Sequence, residues 1–296
     1  MSVVGSTVPG MTTTDQTFVE AAGVRVHYVE RGAGDAGAPT AVLLHGFPVD
    51  HRIMLAAFES AFAGRDGWRR LYLDLPGLGA TVAPDWVAGT DDVFAVVRAA
   101  IDALGVGRYV AIGESYGGWL ARGLVAAEPD RVEGLALLCP VIVPERDERD
   151  LPAHHVLHRD AALAAELGEA AFDADRVGVI QTRETWRRFI EDVVPGLDAA
   201  DPAAVERIGG APAGVFPVEA ARFDRPALFL LGRQDSSTGY RDAFRVLEHY
   251  PRATFAALDR AGHNLQGEQP ELFDALVREW LDRVEEVREG RLNPVP

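Results

Sequence analysis

Cysteine is almost absent from the 296-residue chain. The single Cys139 excludes an intramolecular disulfide and leaves no cysteine-based metal site. Standing at the end of an apolar run, its thiol is expected to be buried and inert. Basic charge is also short: 29 Lys and Arg against 45 Asp and Glu give a net charge of −16. Such a balance argues against nucleic acid or an anionic membrane as a partner. No apolar run approaches the length of a membrane span. Residues 1–16 carry neither the basic n-region nor the apolar h-region of a signal peptide, so a disordered tail and a cytoplasmic protein are the expectations. What the chain does have is bulk. About half of it is hydrophobic and a quarter charged, enough for one large core or two modest ones.

One stretch organises the rest. Gly113-Glu114-Ser115-Tyr116-Gly117-Gly118 follows the apolar run Tyr109–Ile112 and precedes the helix-like run Trp119–Ala127. This is G-x-S-x-G in a strand–turn–helix setting, the pattern of a nucleophile elbow. A serine on so sharp a turn takes a strained backbone, and glycine fits best where neighbouring chain passes close. The following helix aims its first N–H groups at the place where negative charge develops in acyl transfer. A glycine-rich turn that happens to hold a serine is the plainer reading, so the partners decide.

Along the chain, Phe18–Ala21 and Val24–Arg31 flank Ala22-Gly23 as a hairpin. Ala41–Leu44, Leu71–Leu73, Tyr109–Ile112 and Val132–Cys139 are continuous apolar strands. Ile53–Phe62 and the run from Asp91 to Leu104 read as helices, the second with Val93, Val96, Val97, Ala100, Ile101 and Leu104 on one face. Strand–helix alternation with fully apolar strands marks an α/β fold with a parallel sheet covered on both sides. The rhythm breaks at Pro140–Arg222, which shows no clear buried strand beyond its first residues. It contains helix-like pieces at Asp160–Phe172 and Glu184–Val194 and is too long for a plain connection. Strands resume at Ala227–Leu231 and Ala253–Leu258. A last helix carries Leu272, Phe273, Leu276, Val277, Trp280, Leu281 and Val284 on one stripe, and Arg288–Pro296 is expected to fray.

A serine hydroxyl needs a base, and the base works best with a carboxylate fixing its tautomer. His263, in Ala261-Gly262-His263-Asn264 after the last strand, is favoured, because a parallel sheet delivers that loop to the edge that carries the elbow. His45 also ends a strand, but Gly46 behind it suits an oxyanion turn better. His27 lies within a strand, His51 before a helix and His249 late in one. His154, His155 and His158 cluster in the insertion without the acid or Cys spacing of a metal site, and read as a polar helix face. Asp235, after Ala227–Leu231, is the chosen carboxylate. Its rival Asp259 shares a strand end with His263 and reads as a turn residue, while the Pro-Gly turn after Asp74 explains that aspartate structurally. The N–H groups of Tyr116 and Phe47 are the two oxyanion donors.

Taken together, His45–Pro48, Asp74–Gly79, Gly113–Gly118, Gly232–Asp235 and Ala261–His263 resemble the α/β-hydrolase-fold serine hydrolases from about Phe18 to Val284. The order Ser–Asp–His is that of the family. Some related enzymes take the acid from the strand after the elbow, but Leu138-Cys139-Pro140-Val141 offers none. The resemblance implies an eight-stranded, mostly parallel sheet with a helical cap after the sixth strand. The cap would be 141–222, with the hydrolase core at 17–140 and 223–296. It further implies a serine hydrolase of a small ester, thioester or lactone that needs no cofactor or metal. Ser115 argues against the aspartate-nucleophile dehalogenases and epoxide hydrolases of the same fold. Asn264 after the histidine weakens a carbon–carbon bond hydrolase, and Tyr116 departs from the Trp usual in proline iminopeptidases. Both stay open, as does a non-hydrolytic cyclase or ligand receptor. In the cap, Trp186 and Phe189 either face the pocket or pack within the cap.

Overall fold

The computed structural model describes residues 17–32, 37–168, 178–211 and 214–292. The expected disordered tail at 1–16 lies outside them, as do 169–172 of the helix expected to reach Phe172 and the last four residues. Eight strands form one sheet in the order β1-β2-β4-β3-β5-β6-β9-β10. They are β1 Thr17–Ala21, β2 Val24–Arg31, β3 Thr40–Leu44, β4 Arg69–Leu73, β5 Tyr109–Glu114, β6 Val132–Leu138, β9 Ala227–Gly232 and β10 Ala253–Leu258. β1 and β2 pair antiparallel, as does β2 with β4. Every other pairing in this sheet is parallel.

Alternation along the strands splits the core in two. Val42 and Leu44 of β3 pack with Val96, Val97, Ile101, Leu120 and Leu124 of the helices Thr90–Ala103 and Tyr116–Ala127. Ala41 and Leu43 face the other way, onto Ile53, Phe58, Phe273, Val277, Trp280 and Leu281 of the helices His51–Phe58 and Pro270–Arg288. Trp280 is fully buried and donates its indole N–H to the Pro226 carbonyl at 3.1 Å. With both faces covered, the central strands have to be apolar throughout, which is why they lack the polar alternation of a half-exposed sheet.

Some local expectations are corrected. The first helix starts at His51, capped by the Asp50 carboxylate on the Arg52 N–H, and gives way to turns after Phe58 rather than running to Phe62. Between β6 and β9 the chain does hold strand: β7 His158–Arg159 and β8 Ile180–Gln181 pair in parallel. They are too short to leave a periodic signal. His154 and His155 therefore precede a strand and His158 begins it; none is on a helix face. The run Glu184–Val194 is not one helix either. A helix Arg183–Arg188 passes into a π-helical turn at Phe189–Val193 before Val194–Ala199, where Pro195 near the start donates no N–H. His249 lies in a 3-10 turn, Leu247–His249. Among the described residues no helix is long and apolar enough to cross a membrane.

Candidate active site

The parallel register brings the ends of four strands to one edge. Leu44 of β3 pairs with Gly113 of β5, and Gly232 of β9 pairs with Leu258 of β10. The residues that follow are His45, Ser115, Asp235 and His263. At the elbow, Ser115 has φ 52° and ψ −114°, a left-handed backbone that a non-glycine residue adopts only at a cost. Its N–H donates to the Leu138 carbonyl at 2.9 Å, and its own carbonyl accepts from Gly118 and Val141. A Cβ on Gly113 would strike the Gly117 carbonyl, and one on Gly117 would strike the Leu44 carbonyl. Those two glycines are what allow the turn.

The three expected partners meet. His263 Nε2 lies 3.1 Å from Ser115 Oγ, and His263 Nδ1 lies 2.9 Å from Asp235 Oδ2. Asp235 is fully buried, and its Oδ1 accepts the N–H groups of Ser237 and Thr238 at 2.8 and 3.1 Å. The Thr238 hydroxyl sits 2.7 Å from Oδ2. Burial pushes this carboxyl up, but the His263 charge and these donors outweigh it and hold it below the usual carboxylate range. Burial likewise disfavours the imidazolium of His263. The Asp235 and Glu114 carboxylates prevail, raising that histidine to about 9.

The loop that carries His263 is tied down by Glu268. This carboxylate accepts the N–H groups of Gly262 at 2.6 Å, Val179 at 2.6 Å and Ile180 at 3.2 Å, so it also clips the insertion to the loop. On the other side of Ser115, the turn His45–Pro48 contains a cis Phe47–Pro48 peptide bond. The Phe47 ring meets the Tyr116 ring edge-on at 5.7 Å, which sets the two candidate oxyanion residues side by side. His45 is fully buried. Its Nε2 accepts the Leu75 N–H at 3.0 Å, so its Nδ1 carries the proton and donates to the Gly46 carbonyl at 2.7 Å. Burial lowers its pKa, keeping it a neutral brace of the turn.

Asp74 has a structural part beyond the Pro-Gly turn that follows it. It accepts from His27 Nδ1 at 2.7 Å, His51 Nδ1 at 2.8 Å, His51 N–H at 3.0 Å and Ala80 N–H at 2.9 Å. Although burial pushes the other way, these histidines hold its carboxyl far below the usual range. The three side chains stand within metal-ligating reach of one another, yet both Nδ1 atoms are already spent on the carboxylate. Cys139, beside Asp235 and His263, is buried, and its thiol donates to the Gly262 carbonyl at 3.7 Å. Burial and the Asp235 charge push that thiol well up, so it stays protonated.

One cavity borders the site and another lies beside it, sharing Asn264. The first, of about 340 Å³, is lined by His263, Asn264, Gln234, Ser236, Arg146 and His154. A second, of about 550 Å³, lies between the helix His51–Phe58 and the insertion, and Phe189 and Asn264 both line it. Trp186 packs instead against Leu163, its ring 5.8 Å from that of Phe189. Sequence reasoning missed Glu114, Thr238 and Glu268. For Glu114 a signal existed, since an ionisable residue between an apolar strand and the nucleophile is out of place unless it has a partner.

Comparison with known proteins agrees with this architecture. Over 88% of this chain and 92% of the relative, the sequence is 29% identical to the 2-hydroxy-6-oxononadienedioate/2-hydroxy-6-oxononatrienedioate hydrolase of Burkholderia vietnamiensis. It is 28% identical to the 2-succinyl-6-hydroxy-2,4-cyclohexadiene-1-carboxylate synthase of Salmonella agona, over 80% and 91% respectively. The crystal structure of an alpha/beta superfamily hydrolase from Oenococcus oeni superposes with a TM-score of 0.80 at 26% identity, covering 88% of this chain and 96% of that one. The model of the alpha/beta hydrolase family matches residues 41–276. The chain belongs to the alpha/beta hydrolase family.

Proposed function

We propose that the protein is a serine hydrolase that cleaves a small ester, thioester or lactone through an acyl-enzyme. The observation that carries this reading is the continuous contact Ser115–His263–Asp235 at 3.1 and 2.9 Å. Ser115 Oγ attacks the substrate carbonyl while His263 Nε2 takes its proton. The Nδ1–H of His263 stays on Asp235, which orients the ring and balances the imidazolium. The N–H groups of Phe47 and Tyr116 hold the oxyanion, and His263 then protonates the leaving group. A water deprotonated by His263 attacks the acyl-enzyme and frees Ser115. No step calls on a metal or an organic cofactor.

Residues 141–222 form the cap over a core of 17–140 and 223–296 in this reading, and the cap selects the substrate. Phe189 is the better placed of the two aromatics, because it lines a cavity that reaches Asn264 beside the base. Turnover of a panel of short acyl esters, thioesters and lactones tests the proposal. The native protein is to show an acyl-enzyme burst with at least one class, and Ser115→Ala is to lose it.

A second reading is carbon–carbon bond hydrolysis on the same three residues. The likeness to the Burkholderia hydrolase favours it. Turnover of a 2-hydroxy-6-oxo dienoate well above that of every ester would establish it in place of the first.

A further inference from the structure

We infer that Glu114 is a second carboxylate for His263, a positioning residue that holds on the imidazole side of the elbow the proton that must leave before Ser115 can be activated. This rests on the serine-hydrolase reading of the site. Glu114 is the last residue of β5 and is 3% exposed. Its Oε1 stands 3.5 Å from His263 Nε2, the same nitrogen that approaches Ser115. Its Oε2 is buried and makes no well-formed hydrogen bond among the described residues, the Gly46 N–H being the backbone donor that acts on the carboxyl. Gly46 packs so closely against the carboxyl that a Cβ there would strike Oε2. The carboxyl is thus wedged between the oxyanion turn and the base.

His263 therefore lies between two carboxylates, with Asp235 on Nδ1 and Glu114 on the Nε2 side. A third carboxyl, Glu268, holds the His263 loop through the Gly262 N–H at 2.6 Å, and its burial pushes its pKa up. The remaining charged or titratable groups near His263, among the described residues, come from the segment after β6. Arg149 opposes the imidazolium charge, but its guanidinium is taken up by the carbonyls of Val143, Pro144 and Ser237. Arg146 and His154 line the cavity at the outer side of His263, and the Cys139 thiol is neutral. Among the described residues, the cationic group that acts on Glu114 is His263 itself.

The consequence is a shared proton. His263 and Glu114 hold one between them, either as imidazolium and carboxylate or as imidazole and carboxylic acid. Its removal to solvent leaves a buried carboxylate with no counter-charge, so the pair releases it together and only at alkaline pH. After release, neutral His263 accepts the Ser115 proton: the O–H bond breaks, the Nε2–H bond forms, and the new imidazolium faces two anions. Glu114 thus delays the onset of activity with pH and strengthens the transition state beyond it.

The test reads the rate of Ser115 labelling by a fluorophosphonate as a function of pH, alongside the His263 imidazole resonance in NMR. For the native protein the midpoint of both is expected near 9, above the ordinary 6.5. In Glu114→Gln the midpoint is to fall by about one unit or more, and the alkaline plateau by about tenfold. Glu114→Asp keeps the charge but withdraws it by a methylene, and is to fall between the two. A purely structural role would lower the rate at every pH without moving the midpoint. That result in folded Glu114→Gln, or a native midpoint at or below 6.5, overturns the inference. If native Ser115 takes no label, the serine-hydrolase reading fails, and the imidazole titration of native and variant protein still decides for or against Glu114.

Discussion

The loops at the sheet edge and the helical insertion between β6 and β9 are built on different physics. At the edge, polar groups are buried and satisfied: Asp235 accepts two backbone N–H groups and a histidine, Glu268 three backbone N–H groups, and Asp74 two histidines and two backbone N–H groups. In the insertion, much of the bonding is between exposed side chains. Arg183 pairs with Glu166, and Arg187 and Arg188 pair with Glu184. Its own apolar cluster centres on the single buried Leu163. Buried hydrogen-bonded groups are costly to disturb, whereas exposed ion pairs contribute little. The candidate site at the edge is therefore held more firmly than the exposed surface of the insertion.

Substitutions on the two sides should diverge accordingly. The largest effect is expected for Asp235→Asn, which removes the charge opposite the imidazolium and offers the wrong tautomer. The labelling rate of Ser115 should fall on the order of 10⁴-fold, with an unfolding transition that remains cooperative. Next comes the joint between the regions. Arg122, 1% exposed, binds Glu219 through two hydrogen bonds of 2.6 Å and the Val141 carbonyl at 2.8 Å. Arg122→Met would take the counter-charge from Glu219, leaving it the Tyr250 hydroxyl at 2.7 Å, and should cost about 3–5 kcal/mol in a denaturant titration. Smallest is Arg183→Ala on the exposed Glu166 pair, for which the unfolding midpoint should not move measurably. A large loss there would erase the contrast between the regions.

The sequence exposed the edge far better than the insertion. Ser115, Asp235 and His263 each follow an apolar strand closely and stand near glycine, so local pattern alone put them on one side of a parallel sheet. Phe47 and Tyr116 followed from the same turns. The partners of Asp74 were hidden because His27 reaches it only through the antiparallel pairing of β2 with β4, which sets Tyr28 opposite Leu73. Thr238 and Glu268 were hidden for a similar reason: each acts through hydrogen bonds made only after the loops have met. In the insertion, two-residue strands and a π-helical turn leave no period to read.

The central claim is that Ser115 is the nucleophile of this edge, and covalent labelling tests it most directly. Native protein treated with a fluorophosphonate should carry one adduct, mapped by peptide mass spectrometry to the tryptic fragment holding Gly113–Gly118, and Ser115→Ala should carry none. An adduct that persists in Ser115→Ala, or a native protein that stays unlabelled across the alkaline range where His263 is neutral, would contradict the account.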